Sequence, residues 1–299
     1  HRVNPDGKRA WLEGYDCIWR QNGVWDIDAD GNPRLLRPDH FAQVNGRSVD
    51  FKQDYFLPFA KRYATAIREI HPEAMIFVET ESSKAPPRWD GAENIVYAPH
   101  WYDGIVVAQK RYSPFIGLDF LALKPVFGPG RIRKSFAAQM AKFKQYSRER
   151  LGNVPTFIGE CGIPFDMDDK RAFRSGDFRQ QVKALDRTFQ AIEANLLDCT
   201  VWNYTADNTN ERGDLWNDED FSLFSRDQQT DPGNTHSGGR ALEAALRPYP
   251  RATAGEPLRL SFDIRKPQFE FTFRHNPAII AATEIYVPAY QYPHGYCVE

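Results

Sequence analysis

The sequence predicts an α/β fold: the C-terminal half of an eight-stranded α/β barrel, followed by the start of an antiparallel β domain. Two observations support this prediction. Apolar runs typical of buried parallel strands alternate with amphipathic helical stretches up to residue 247. Beyond that point, runs that alternate apolar and polar residues indicate antiparallel strands. We therefore assign residues 1–247 to the barrel part and residues 248–299 to a second domain.

The composition of residues 1–48 indicates a long loop that leaves the barrel. The segment is rich in Gly, Pro and Asp and holds Trp19 with two further Trp residues. Long excursions of this kind are often binding loops. The stretch that begins at Asp26 resembles the start of a calcium-binding loop, but its twelfth position is Arg37 where a Glu is required. A turn at Asp30-Gly31 between two short strands is the favoured interpretation.

The elements of the barrel part follow in the order helix, strand, strand, helix, strand, helix, strand. Candidate helix starts are Asp50, Ser135 and Asp177, since these residue types cap helices and the two Asp residues have Gln three positions later. The predicted barrel strands are 74–78, 94–98, 154–158 and 197–204. The predicted strands of the second domain are 258–264, 269–274 and 284–287.

The composition argues against several classes of function. A formal net charge of −2 gives no reason to expect binding of nucleic acid or of an anionic membrane surface. The four cysteines form no CxxC pair, which argues against a zinc ribbon and a thioredoxin-type site. They favour a reducing, intracellular setting, either cytoplasmic or vacuolar. No apolar run is long enough to span a membrane. The aromatic content of 14% fits stacking on sugar rings as well as filling of a core.

Polar or aromatic side chains end three successive predicted strands. Glu160 stands in the sequence Ile-Gly-Glu-Cys-Gly, His100 and Tyr102 end the strand before it, and Trp202 ends the strand after it. In a parallel barrel these ends meet on one face, where the chemistry occurs. The pattern therefore predicts a carbohydrate-cleaving site centred on Glu160. The alternative is a buried structural carboxylate in an ion pair.

Cleavage of a glycosidic bond usually needs two carboxyl groups, one of them ionised as the nucleophile. His100 and Tyr102 lie on one side of their strand end and are candidate hydrogen-bond donors to Glu160, whereas Trp101 faces the other side. Gly159 and Gly162 are expected to keep the backbone slim so that a sugar can approach. The predicted substrate-binding residues are Trp202, Asn203, Trp216, Trp101, Glu79 and Trp19.

Alternatives remain open for several of these residues. His100 also fits a supporting histidine beside the site, and Trp202 also fits a core residue. Cys161 is better explained as a small buried side chain than as a nucleophile. The second carboxyl group is not identified: Glu13, Glu79 and Glu81 are available, but none has a context that marks it as the acid.

Several motifs resemble glycoside hydrolase family 5. They are Pro-His-Trp-Tyr-Asp at 99–103, Phe-Ile-Gly-Glu-Cys-Gly-Ile-Pro at 157–164 and Val-Trp-Asn-Tyr at 201–204. The more specific resemblance is to its endoglycoceramidase-related branch, with the fungal glucosylceramidases and steryl-β-glucosidases. The segments 11–37, 216–225 and 247–255 are similar to that branch as well, so the resemblance covers nearly the whole chain.

This resemblance implies a (β/α)8 TIM barrel followed by a β-sandwich, and a retaining mechanism with Glu160 as the nucleophile. It matches His100 and Tyr102 to the family's sixth-strand pair and Trp202 to its eighth-strand Trp. The family's acid/base lies in an Asn-Glu pair after the fourth strand. No Asn-Glu-Pro occurs here, so we expect the acid/base in a segment upstream of His1.

The expected reaction is hydrolysis of a β-glucoside with a lipid aglycone, such as a steryl glucoside or glucosylceramide. No metal or organic cofactor is implied. The expected partners are the small-molecule glycolipid, the upstream part of the same protein and, transiently, a membrane surface that presents the lipid. A polysaccharide-directed glucanase of the same family and a non-catalytic sugar-binding barrel are the alternatives.

Overall fold

The computed structural model describes residues 7–299 and divides the chain into two compact units, His1–Tyr63 and Ala64–Glu299. The elements of the first unit are α1 (Ile18–Gln21), β1 (Trp25–Ile27), β2 (Pro33–Leu35), β3 (Gln43–Val44) and β4 (Arg47–Ser48). β1 pairs with β2 and β3 with β4, both antiparallel. The Asp28 carboxylate accepts hydrogen bonds from the amides of Asp30 and Asn32 at 3.0 and 2.8 Å. The predicted turn between two short strands is confirmed.

α2 (Leu57–Ile70) follows a π-helical segment, Lys52–Phe56. The Asp50 carboxylate accepts a hydrogen bond from the Gln53 amide at 3.2 Å, as the predicted helix start requires. The helix ends just before His71-Pro72, because a residue that precedes proline disfavours helical geometry.

The remaining elements belong to the second unit. In chain order they are β5 (Ile76–Val78), β6 (Ile95–Tyr97), α3 (Gly104–Gln109), β7 (Ile116–Asp119), β8 (Lys124–Phe127), α4 (Pro129–Arg150), β9 (Phe157–Cys161), α5 (Met167–Ser175), α6 (Arg179–Glu193), β10 (Asp198–Val201), α7 (Leu242–Ala245), β11 (Tyr249–Ala252), β12 (Gly255–Asp263), β13 (Gln268–His275) and β14 (Glu284–Tyr286).

Four parallel strands form a continuous arc in the order β5, β6, β9, β10. β5 pairs with β6 and β9 pairs with β10, both parallel. Parallel bridges at Tyr97–Thr156 and His100–Glu160 join β6 to β9. The chain therefore places four parallel strands side by side in chain order, each following a helix or an excursion, as the predicted half-barrel requires.

The helix prediction at Ser135 is wrong in its starting point. α4 begins at Pro129, since proline is favoured in the first turn of a helix. Ser135 lies inside the helix, where its hydroxyl accepts a hydrogen bond from the Gln139 amide at 3.2 Å. The antiparallel hairpin β7–β8, which precedes α4, was not predicted.

α6 begins next to the predicted start, and the Asp177 carboxylate accepts a hydrogen bond from the Arg179 amide at 3.0 Å. The side chains of Leu185, Phe189 and Ile192 are buried on one face, as their helical spacing predicts.

The C-terminal region is antiparallel, as predicted from its period of two: β12 pairs with β13, and β11 with β14. Arg247 joins this region to α6. Its guanidinium binds the Glu193 carboxylate at 2.5 and 2.9 Å and donates to the Phe262 carbonyl at 3.1 Å. Among the residues described, no helix combines the length and the apolar character needed to cross a bilayer.

Candidate active site

The centre of the candidate site is the carboxylate of Glu160 near the carboxyl end of β9. The Tyr102 hydroxyl donates to Glu160 Oε2 at 2.8 Å, and His100 Nδ1 lies 3.1 Å from the same oxygen. His100 Nδ1 also lies 3.4 Å from Glu79 Oε1. The side chains of Glu160 and His100 are each 29% exposed, so both are reachable from solvent. The structure thus brings together four of the predicted residues: Glu160, His100, Tyr102 and Glu79.

Backbone pairing of neighbouring strands fixes these positions. The Trp101 amide donates to the Glu160 carbonyl at 2.9 Å, and the Gly159 amide donates to the Pro99 carbonyl at 3.0 Å. Because side chains alternate along each strand end, the residues on either side of Trp101 face Glu160 together.

Gly159 and Gly162, on either side of Glu160, allow neighbouring backbone segments to approach closely. This corrects the expectation that they make room for a sugar. A Cβ added at Gly159 would lie 2.7 Å from the Ala98 carbonyl oxygen. A Cβ added at Gly162 would lie 2.1 Å from the Trp202 carbonyl oxygen. Both distances are shorter than a Cβ tolerates, so glycine is needed for the close approach of adjacent strand ends.

A buried ion pair holds the loop that follows His100 and Tyr102. The Asp103 carboxylate caps α3 by accepting from the Ile105 amide at 3.2 Å, and it pairs with the Arg187 guanidinium of α6. The Arg187 guanidinium also donates to the Ser113 carbonyl at 2.8 Å. Since both ionic side chains are almost fully buried, this pair ties the strand end firmly to the helix behind it.

Tyr102 is kept as a proton donor by its surroundings. Burial raises the pKa of Tyr102 above its usual value, and the hydrogen bond and negative charge of Glu160 raise the pKa further, with a smaller contribution from the Glu219 carboxylate. A phenol with a raised pKa stays protonated at neutral pH. The hydroxyl therefore remains available to hold Glu160 Oε2.

Trp202 and Asn203 follow β10, and the peptide bond between them is cis. The Trp202 amide donates to the Cys161 carbonyl at 2.8 Å, which brings the indole beside the end of β9. Its Nε1 donates to Glu219 Oε2 at 3.4 Å. Glu219 is not among the residues predicted from the sequence, because it lies in a polar loop with no periodic pattern to single it out.

The loop after β10 is built on buried polar groups. Asn203 Nδ2 donates to Asp214 Oδ2 at 3.2 Å, and Asn208 Nδ2 donates to Asp214 Oδ1 at 2.8 Å and Asp220 Oδ1 at 3.0 Å. The Arg240 guanidinium, which is fully buried, binds Asp220 Oδ1 at 2.6 Å. These contacts fix the base of the loop, and with it Asn203 at the rim of the site.

The structure corrects the prediction that Trp101 binds substrate. Its side chain is 1% exposed, its Nε1 donates to Gln139 Oε1 at 3.0 Å, and its ring packs edge-on against Phe136. A side chain enclosed by the core in this way has no face left for a sugar. Trp216 and Trp19 are 59% and 56% exposed; Trp19 lies in the first unit, edge-on against Phe41.

Cys161 is fully buried and lies next to Glu160 along β9. Its hydrogen bond with Cys199 and its burial raise the pKa of the thiol well above its usual value, which disfavours the thiolate that a nucleophile needs. Glu81 accepts from the hydroxyl of Ser83 at 2.7 Å in its own turn. Within residues 7–299, no cluster of His, Cys, Asp and Glu is arranged to hold a metal ion.

An arc of parallel strands with a carboxylate, an imidazole, a phenol and an indole at its carboxyl end is typical of α/β-barrel glycosidases. The family model described as Cellulase (glycosyl hydrolase family 5) matches residues 41–208. The model of the glycoside hydrolase family 5 C-terminal domain matches residues 247–299. The chain belongs to glycoside hydrolase family 5, as its motifs predicted. The fold is accordingly that of the (β/α)8 barrel with a C-terminal β domain.

Curated relatives support the same branch of the family. A glucosylceramidase of Rhizopus delemar is 32% identical over 97% of this chain and 46% of its own length. An ergosteryl-β-glucosidase of Saccharomyces cerevisiae is 32% identical over 76% of this chain and 34% of its own length. The chain thus spans less than half the length of these relatives.

Solved structures agree. The crystal structure of sterylglucosidase 1 of Cryptococcus neoformans superposes with a TM-score of 0.81 at 35% identity, over 91% of this chain and 42% of that one. Endo-glycoceramidase II of a Rhodococcus species has the same fold, with a TM-score of 0.53 at 18% identity, over 84% of this chain and 49% of that one.

Proposed function

We propose that this protein hydrolyses β-glucosides that carry a lipid aglycone, with retention of configuration and with Glu160 as the nucleophile. The observation that supports the proposal most directly is the hydrogen bond of a phenol to one oxygen of this carboxylate, with an imidazole nitrogen close to the same oxygen. The Tyr102 hydroxyl donates to Glu160 Oε2 at 2.8 Å, and His100 Nδ1 lies 3.1 Å from the same atom. Oε1 is thereby left to face the anomeric carbon of a bound glucoside.

In the proposed reaction, Glu160 attacks C1 of the glucosyl unit while the bond from C1 to the aglycone oxygen breaks. A general acid gives its proton to that oxygen, and a covalent glucosyl-enzyme forms. The same group, now a base, takes a proton from water, which attacks C1, releases glucose and restores Glu160. We propose that this acid/base group lies outside residues 1–299, since these residues contain no Asn-Glu-Pro.

The remaining candidates fit the binding of the sugar ring. Trp202 is half-buried beside the end of β9 and offers an indole face as the floor of the site. The Asn203 amide donates to Asp214 Oδ2, and we assign this residue to sugar contact because it directly follows Trp202. Glu79 is 53% exposed and shares His100 with Glu160, so we assign it to the edge of the site.

The proposal that the aglycone is a lipid is supported by the names of the similar proteins and by one exposed apolar surface. The similar proteins are named glucosylceramidase and ergosteryl-β-glucosidase. Leu215 and Trp216, at the tip of the loop after β10, are 63% and 59% exposed. We propose that this tip contacts the aglycone and, briefly, the membrane surface that presents it. The proposal includes a reducing compartment, since Cys17, Cys161, Cys199 and Cys297 are all unpaired thiols.

The mechanism is tested by covalent trapping. The protein is incubated with a 2-deoxy-2-fluoro-β-glucoside that has an activated leaving group, and the labelled peptide is sequenced by mass spectrometry. A label on Glu160, absent from Glu160→Gln, is expected. A label on another residue, or turnover of β-glucosides with inversion at C1, would refute the assignment.

The aglycone assignment is tested by Trp216→Ala with two substrates, a steryl glucoside and nitrophenyl β-glucoside. The loss of kcat/KM should be larger for the lipid glucoside. Leu123→Ala, which removes another exposed apolar side chain (71% exposed), is the matched control. Equal losses on both substrates would contradict the proposed contact. The same comparison with Trp19→Ala tests the prediction for Trp19.

A polysaccharide-directed activity is the second candidate, because the matching family model is described as a cellulase. It predicts that rates rise with chain length on cello-oligosaccharides and that lipid glucosides are poor substrates. The lipid-glucoside proposal predicts the opposite order, so one substrate panel separates the two.

A further inference from the structure

Glu219 is a second carboxylate on the wall of the site that carries Glu160. It lies in the loop after β10, half-buried, and its Oε2 accepts a hydrogen bond from Trp202 Nε1 at 3.4 Å. Trp202 itself is bonded through its backbone to the end of β9. The indole that is expected to lie under the sugar therefore also carries this carboxylate at its edge.

The backbone around Glu219 is held tightly. Its amide donates to the Trp216 carbonyl at 2.8 Å, and its carbonyl accepts from the Asp214 amide at 2.9 Å. A Cβ added at Gly213 would lie 2.2 Å from the Glu219 carbonyl oxygen, so only glycine permits this closure of the loop. The carboxylate is consequently presented from a fixed point and not from a mobile chain.

The hydrogen-bonding capacity of Glu219 is mostly unused. A carboxylate offers about four acceptor positions, and one is taken by Trp202. Within the described part of the chain, no Lys, Arg or His side chain forms an ion pair with Glu219. A half-buried carboxylate without a cation is stabilised when it accepts from hydroxyl donors, and the hydroxyls of a sugar are such donors.

We propose that Glu219 accepts hydrogen bonds from the hydroxyl groups at C4 or C6 of the glucosyl unit and so selects the sugar. The inference rests on the proposed function. Glu160 has to reach C1, so the C1 end of the ring lies at β9. The Glu219 carboxylate is held at the Nε1 edge of the Trp202 indole, and we place the C4–C6 end of the ring at that edge.

The alternative is that Glu219 merely fastens Trp202 to its loop. Glu219→Gln keeps the shape of the side chain and an acceptor for the indole, whereas Glu219→Ala removes both. Glu211→Gln, an exposed carboxylate of the same loop, is the matched control. Each variant is assayed with nitrophenyl β-glucoside and with its 4-deoxy, 6-deoxy and 2-deoxy analogues.

For Glu219→Ala, kcat/KM on the parent glucoside should fall by roughly 10- to 100-fold, the usual effect of losing a hydrogen bond to a charged group. On the 4-deoxy or the 6-deoxy analogue the fall should be about two-fold or less, because the partner hydroxyl is already missing. Glu219→Gln should show an intermediate loss, and Glu211→Gln none. Equal losses of kcat/KM on all four substrates would overturn the inference in favour of a purely structural role. A loss that becomes small only on the 2-deoxy analogue would overturn the proposed orientation of the sugar.

The proposed function and the role of Glu219 are tested by separate experiments, so the inference stays testable if the proposed function is refuted. Trapping on the wild-type protein reports on Glu160 alone. If the wild type does not turn over β-glucosides, calorimetric binding of a glucose-configured iminosugar and its 4-deoxy and 6-deoxy forms replaces the kinetic assay. Binding that depends on Glu219 only when the hydroxyl is present supports the inference, and binding indifferent to Glu219 refutes it.

Discussion

Replacing Tyr102 with Phe removes one hydroxyl and leaves the rest of the ring in place. The hydroxyl donates to Glu160 Oε2 at 2.8 Å. The ring packs edge-on against Phe221, with centroids 6.0 Å apart, and a Phe side chain keeps that contact. The variant therefore isolates the contribution of one hydrogen bond to the proposed nucleophile.

The size of the effect follows from the charge of the acceptor. A hydrogen bond to a charged group contributes about 1.5–3 kcal/mol, and about 1.4 kcal/mol corresponds to a tenfold change in rate. We expect kcat/KM on nitrophenyl β-glucoside to fall by roughly 10- to 150-fold. His100 Nδ1, 3.1 Å from the same oxygen, remains beside the carboxylate, so we expect activity to be reduced and not abolished.

The pH dependence adds a second test. The pKa of Tyr102 is raised above its usual value by burial and by Glu160, so the phenol stays protonated as the pH rises past its normal range. The ratio of wild-type to Tyr102→Phe kcat/KM should accordingly stay constant from about pH 6 to about pH 11, past the ordinary tyrosine pKa of about 10. A ratio that collapses toward unity within this interval would mean that the hydroxyl ionises there.

Tyr204→Phe is the control, since this residue follows β10 and is 68% exposed. It should leave kcat/KM unchanged. If Tyr102→Phe lowers kcat/KM less than about two-fold, or if both variants lower it equally, the argument from the hydrogen bond is refuted. Near-ultraviolet circular dichroism of each variant shows whether the fold is retained.

Two further predictions concern stability, each measured by urea unfolding. Arg247→Met leaves Glu193 buried without its cation, so the free energy of unfolding should drop by about 3–5 kcal/mol; Arg259→Met, which breaks an exposed pair with Glu270, should change it by less than about 1 kcal/mol. Gly162→Ala should lower it by about 1–3 kcal/mol, because the new Cβ meets the Trp202 carbonyl, whereas Gly130→Ala, with open space around it, should be neutral or slightly stabilising. Similar losses of stability for Arg247→Met and Arg259→Met would contradict the argument from burial. Similar values for Gly162→Ala and Gly130→Ala would contradict the argument from the close backbone contact.

The parts of the fold that depend on local pattern were accessible from the sequence. Apolar runs located β5, β6, β9 and β10 to within a few residues, and the spacing in α6 indicated its buried face. The β7–β8 hairpin was not predicted, because Gly117 and Pro125 interrupt any alternation in its short strands. Ser135 was mistaken for a helix start, since capping residues also occur inside helices.

The site divides in the same way. Glu160, His100 and Tyr102 stand at the ends of recognisable strands, so the rule that parallel strand ends converge was sufficient to group them. Trp101 was misassigned because its burial depends on Gln139 of α4, far along the chain. Glu219 could not be found, since its position results from a loop closure that needs positive φ at Leu215, Asn217 and Asp218. No local sequence pattern marks such a closure.

The loop after β10 has a fully buried Arg240 beneath it and a largely exposed tip at Leu215-Trp216. Substitutions at the tip disturb almost no packing, whereas substitutions at the base remove an ion pair that water cannot replace. We therefore expect the fold to tolerate substitutions at the tip and not at the base. Such a loop is a natural starting point for directed evolution: libraries confined to positions 215 and 216 can explore new hydrophobic substrates while the sugar pocket keeps its geometry.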